Sequence, residues 1–333
     1  MKPAALFLVV AGFFVASSDL FAQVDEALLT KRWKTDNFWA ETYDRPYYTG
    51  TGHFEGSTED FQMFHWISVG RIKFDAETLD PSVWLGYKAN TISMTTDREF
   101  LNHAYGDVAL GVAAQLGSLG GGWSLSAGTA IGTANDGRWD NSEALYFTGT
   151  VDFAHREAGG LPLHVGLGYD GNRTFYNGVP IPHFLMEIAP DPALTLLIGF
   201  PKAEIVWRPT KWLILSGEWQ LSSQSTARVD FDIGAGMTIF ADVVRRFDAF
   251  HLRDVETRDR LFMEVHTAEV GIRWVSSWMD IGLSAGTTFG QRYFSGPHIL
   301  DRTKGDSIDS LPFIALTIPG VNWAPPLSAG LKR

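Results

Sequence analysis

Residues 161–170 change character at every step. Leu161, Leu163, Val165, Leu167 and Tyr169 fall on one side, and Pro162, His164, Gly166, Gly168 and Asp170 on the other. Side chains of a strand alternate between its two faces, so this segment is a strand with one apolar face and one lean face. Such a strand needs partners along its edges and a cover for its apolar side. A soluble sheet supplies the cover as a core, and a transmembrane barrel supplies it as lipid.

The pattern recurs along most of the chain. Val108, Leu110, Val112, Ala114 and Leu116 oppose Asp107, Ala109, Gly111, Ala113, Gln115 and Gly117. Trp123, Leu125, Ala127, Thr129 and Ile131 oppose Ser124, Ser126, Gly128, Ala130 and Gly132. Residues 61–74, 82–95, 145–153, 203–208, 228–233, 267–274, 280–286 and 311–318 also read as strands. Short connections at 118–122, 157–160, 234–236 and 276–277 alternate with long polar ones at 134–143, 171–182, 248–260 and 295–310. Outer-membrane barrels have this rhythm, with short periplasmic turns and long external loops, and Greek-key sandwiches lack it. The expected fold is all-β, an antiparallel up-and-down transmembrane β-barrel of about 12 strands within a range of about 10 to 16.

The lean face suggests which side looks inward. It is mostly Gly, Ala and Ser, with sparse charges, whereas a water-facing strand surface usually carries Lys, Glu, Thr and Gln. Small residues suit a concave interior, and opposite charges can pair across it. Lumen-lining candidates are Glu204, Arg208, Arg228, Asp230, Asp232, Glu269, Arg273 and Asp280. Arg228, Asp230 and Asp232 share one strand face and read as a salt-bridge ladder with Arg208, Arg245 or Arg273, because a buried charge needs a partner. Trp123, Phe153, Tyr169, Trp207, Trp212, Trp274 and Trp278 lie near strand ends, as interfacial aromatics of a membrane girdle do.

A secretory signal peptide over residues 1–22 agrees with this reading. Lys2 precedes an apolar run over 4–16, and Ala22–Gln23 is the expected cleavage point, although Leu20 is large for the −3 position. Residues 23–58 mix charge with aromatics and read as an N-terminal periplasmic lead-in, with room for a first strand at its end. Residues 59–320 form the barrel and 321–333 a C-terminal tail. No later segment holds about 18 consecutive apolar residues, so no transmembrane helix is expected. There is no cysteine, hence neither a disulfide staple nor a lipoprotein anchor. The net charge of −11 argues against nucleic-acid binding. The chain ends in Leu331-Lys332-Arg333, not in the terminal aromatic of many outer-membrane barrels. Either the last strand lies near 311–319 and is followed by a tail, or the barrel is not of the usual kind.

Pro182 before a strand, Asp191-Pro192, the run 194–201 and Val206-Trp207-Arg208-Pro209 resemble bacterial outer-membrane β-barrel proteins grouped only as a domain of unknown function. The resemblance covers most of the chain after about residue 55. It implies location and architecture, and carries no catalytic residue with it.

No catalytic, cofactor-binding or metal-ligating residue is assigned, and no enzymatic activity is expected. The nine histidines, His155, His164 and His183 among them, match no zinc spacing. A lipid hydrolase would need a pair such as Ser124 or Ser126 with His164, but no Gly-x-Ser-x-Gly elbow supports one. The leading expectation is an outer-membrane barrel with a structural or passive-channel role. Its expected partners are outer-membrane lipids and the barrel-assembly machinery. Low or no conductance is expected, because a narrow barrel is filled by its own side chains. The alternatives are a secreted soluble barrel binding an apolar ligand and an outer-membrane lipid hydrolase.

Overall fold

The computed structural model describes residues 40–74, 83–99, 101–155, 162–191, 193–221, 224–252, 260–276, 280–297, 299 and 305–319. The signal peptide, residues 23–39 of the lead-in, the tail, Leu161 and Trp278 lie outside the described residues.

The strands are β1 (Ala40–Thr49), β2 (Gly52–His53), β3 (Asp60–Lys73), β4 (Val83–Thr96), β5 (Ala104–Gly120) and β6 (Trp123–Asn135). Next come β7 (Leu145–His155), β8 (Leu163–Asp170), β9 (Ile181–Asp191), β10 (Leu194–Phe200), β11 (Lys202–Thr210) and β12 (Leu213–Gln220). The last are β13 (Gln224–Gly234), β14 (Met237–His251), β15 (Arg260–Val275), β16 (Asp280–Gly296), β17 (Gly305–Ile308) and β18 (Pro312–Pro319). Sequential neighbours pair antiparallel, and β1 closes the ring by pairing with β3 on one side and β18 on the other. β2 prolongs β1 along β3, β17 lies in line with β18 along β16, and a Phe54–Ile308 bridge joins the two extensions.

Counted this way, the described wall has sixteen staves, and the expected number of about 12 is too low. Most of the strands that alternation leaves poorly defined share a reason. β1 (AETYDRPYYT), β10 (LTLLIGF) and β12 (LILSGEWQ) do not alternate cleanly, and β9 holds Pro182 and Pro190. β1 and β2 also place the start of the barrel inside the segment read as a lead-in.

The lean face does point inward. Val165 and Leu167 are exposed while His164 and Gly168 are buried. Leu110, Ile131, Val270, Leu283 and Ile314 on other staves are all at least 60% exposed. Apolar side chains therefore cover the outside, and charged ones lie within.

The short connections gather at one end of the barrel, here the turn end, and the long ones at the other, the loop end. One side breaks the rhythm. At the loop end, β10 and β11 are joined at Pro201 alone, and β12 and β13 by residues 221–223. β10 to β13 have 7, 9, 8 and 11 residues, about what crossing an apolar band of roughly 25 Å needs. β14, β15 and β16 have 15, 16 and 17 residues and overshoot them.

The overshoot fills the barrel. β13 reaches β14 only as far as the Gln224–Arg246 pair. Beyond it, β14 crosses the lumen until His251 meets Asn135 of β6 in parallel. Phe250, Leu261 and Met263 on one face of the β14–β15 hairpin pack into a buried cluster with Phe61, Met63, Ile92, Met94 and Tyr105 of β3, β4 and β5. Phe247, Ala249 and Phe262 on its other face pack with Phe294, Ile299 and Phe175. All six residues from Arg260 to Val265 are buried. A hairpin apolar on both faces is stable only when covered on both, and the lumen supplies that cover.

Candidate functional site

The lumen is the candidate site. Its inner wall carries charge in pairs, as buried ions require. Near the turn end, Arg71 Nη2 donates to Glu41 at 2.7 Å, and Arg273 Nε donates to Asp280 at 2.7 Å. Above them, Arg45 reaches from β1 to Glu269 on β15 at 2.7 Å, and the Ser284 hydroxyl donates to the same carboxylate at 2.9 Å. Arg228 pairs with Asp230 at 2.8 Å and with Asp242 on β14 at 3.3 Å, its guanidinium over the Phe240 ring. At the hairpin, Arg246 pairs with Asp248 at 2.9 Å and lies against His65, and Asn90 Nδ2 donates to Asp248 at 2.6 Å.

The space left over lies beside the hairpin. A cavity with an empty volume of about 950 Å³, open mouth included, is bordered by β4 to β8, by the low turns at Pro201 and Leu221, and by β14. Lys88 and Tyr146 both donate to Asp107 at its edge, the phenol at 2.6 Å. Gly132 makes room for this contact, because a Cβ there would lie 2.4 Å from the Tyr146 ring.

Farther along that wall, Asp152 on β7 accepts from two imidazoles: Nδ1 of His164 on β8 and Nε2 of His183 on β9, each at 2.7 Å. Gly166 lets the His183 ring cross, since a Cβ would stand 2.4 Å from its Cε1 and 2.0 Å from the Val151 carbonyl oxygen. His155 is instead outside this cluster, its ring 4.8 Å from that of Trp123. The Ser124 hydroxyl donates to the Ala154 carbonyl at 3.5 Å, so His164 and Ser124 do not form a nucleophile–base pair. Among the described residues, no group of three or more His, Cys, Asp or Glu could hold a metal ion.

Of the expected lumen residues, Arg228, Asp230, Glu269, Arg273 and Asp280 take part in these inner pairs, and Glu204 lies 3.7 Å from Lys202 Nζ. Two placements differ from expectation. Asp232 is exposed at the turn end and accepts from the Gly234 N–H at 2.8 Å, which caps the β13–β14 turn. Arg208 is exposed near the end of β11. The expected arginine partners of the Arg228, Asp230 and Asp232 set are also engaged elsewhere: Arg245 pairs with Glu264 at 2.9 Å and Arg273 with Asp280, and Arg228 itself takes Asp242 in addition to Asp230. Arg45, Asp152, Asp242 and Arg246 were missing from the sequence-derived set. Arg45 and Arg246 reach residues far away in the chain, Glu269 and His65, and Asp152 and Asp242 find their partners on neighbouring strands through the register; period-2 reading on one strand reveals neither.

Trp212 and Trp274 are exposed at the turn end, Trp212 stacked on Phe231 with centroids 6.1 Å apart. Phe153 is exposed, and Trp123, Tyr169 and Trp207 are half-buried.

No family model matches the chain, and no curated protein does. Several solved structures are similar over most of its length. The TodX monoaromatic hydrocarbon channel is 7% identical and covers 94% of this chain and 98% of its own, with a TM-score of 0.38. The NanC porin is 7% identical, covering 83% and 98%, with a TM-score of 0.29. OprB of Pseudomonas putida is 7% identical, covering 85% and 93%, with a TM-score of 0.29. The barrel assignment rests on this chain's own strand pairing.

Proposed function

We propose that the protein is an outer-membrane passive channel for small polar solutes, narrowed by its own hairpin. The observation that carries this reading is the polarity of the wall: apolar outside, charged and hydrogen-bonded inside. In water, so much contiguous apolar surface would drive aggregation, and in a bilayer it is solvated. Sixteen strands enclose a lumen wide enough for an aqueous path. Water also has a place there. Thr267 Oγ1 is buried and lacks a hydrogen-bond partner among the described residues, and such an atom is normally satisfied by ordered water.

The test is reconstitution. The protein should extract with detergent from the outer-membrane fraction, migrate differently in gels before and after heating, and give small single-channel currents in planar bilayers. Full recovery in the soluble periplasmic fraction would overturn the reading. The low conductance expected from the sequence is kept, with its cause changed from a narrow wall to an obstructed wide one.

A further inference from the structure

We infer that the open path through the lumen favours cations, and that Glu187 and Glu204 are the residues that set this preference. The inference rests on the channel reading and names its solute class.

The hairpin and the ion-pair layers occupy the side of the lumen lined by β13 to β16, β18, β1 and β3. The space beside the hairpin meets the opposite wall at its loop end, at Ile181, Pro201, Gln220 and Leu221, and the glutamates lie on that wall below these residues, toward the turn end. On that wall, Glu187 of β9 is the cross-strand partner of Leu197, Leu197 of Glu204, and Glu204 of Glu218 on β12. Directly paired residues share a face, so the three glutamates form one lateral row. The face is the inner one. Glu187 shares it with His183 and Leu185, both buried, and Glu218 is 4% exposed. Asp152 adds a carboxylate nearby.

Lys202, 3.4 Å from Glu218 and 3.7 Å from Glu204, is the basic residue placed among these acids. On the far side Arg45, Arg228 and Arg273 each hold at least one carboxylate, and in the cavity lining Lys88, Arg173 and Arg246 are matched in number by Asp107, Asp170 and Asp248. The path therefore runs along a wall with more negative than positive charge, in surroundings less polar than bulk water. Such a field raises the local concentration of cations and lowers that of anions. It acts on ions in transit and needs no coordination site.

The test uses the full-length protein in planar bilayers under a KCl gradient, with the reversal potential as readout. The wild type should pass potassium in preference to chloride. Glu187→Gln with Glu204→Gln should cut the permeability ratio by at least half. Lys202→Gln should raise it, which keeps the inference testable if the double variant inserts poorly. A wild-type ratio at or below one, or a ratio unmoved by either variant, overturns the inference while the channel reading stands. Absence of any current, from wild type and from a Phe250→Asp, Met263→Asp variant that loosens the hairpin from β3, β4 and β5 alike, overturns both.

Discussion

Gly166 shows how one residue can hold a cluster open. Its missing side chain lets the His183 ring reach Asp152 across β8. Gly166→Ala would push a methyl into a backbone carbonyl and that ring, an overpacking that costs about 1–3 kcal/mol. The heat-modifiable transition should fall in temperature for this variant. It should not move for Gly117→Ala, where a Cβ meets nothing within 4 Å. The Arg45–Glu269 pair gives a second prediction. Arg45→Met leaves the Glu269 carboxylate, 3% exposed, without its guanidinium. Loss of one partner of a buried pair costs about 3–5 kcal/mol, and replacement of both by apolar residues is often close to neutral. The double variant Arg45→Met with Glu269→Met should therefore recover most of the lost stability in urea titrations. A double variant as weak as the single one would contradict this account of the pair.

At the level of elements, the β14–β15 hairpin decides how open the barrel is. Phe250 and Met263 anchor it against β3, β4 and β5. Phe250→Asp with Met263→Asp would put two carboxylates into that cluster, and residues 247–251 and 260–265 should lose their packing in the lumen. Single-channel conductance should then rise several-fold while the protein remains heat-modifiable. Conductance equal to wild type would mean that the hairpin is not the obstruction. The sequence holds a trace of this element. Leu261, Phe262, Met263 and Val265 abandon alternation, as residues buried on both faces do. Residues 248–260 read as a loop because their charges resemble those of the other long connections. In the structure β14 runs on to His251, since the unpaired edge beyond β13 finds Asn135 inside the barrel.

For the whole molecule, the polarity of the closed sheet sets the environment in which it is stable. Leu110 is 64% exposed on the outer face of β5. Leu110→Arg places a charge there, which costs about 2–4 kcal/mol near the midplane of a bilayer and little near its edges. Folding yield into vesicles should drop for this variant. Ser126→Arg, on the inner face of β6 opposite Asp152, should fold nearly as well as wild type. Equal yields for the two would argue against lipid on the outside.

Alternation along each strand already determined the all-β class, the barrel and the inward direction of the lean face, because period 2 is a local property of extended backbone. The grouping of short and long connections at opposite ends was legible for the same reason: antiparallel neighbours reverse direction at every turn. Strand number was less legible, since β1, β9, β10 and β12 depart from clean alternation or carry proline. The pairing of Arg45 with Glu269, the meeting of His164 and His183 at Asp152, and the inward hairpin were decided only by the tertiary structure. The first and the last depend on what lies across the lumen and on how far one stave outruns its neighbour, and the second on the mutual register of β7, β8 and β9; pairing and closure of the ring set these, and no single strand contains them.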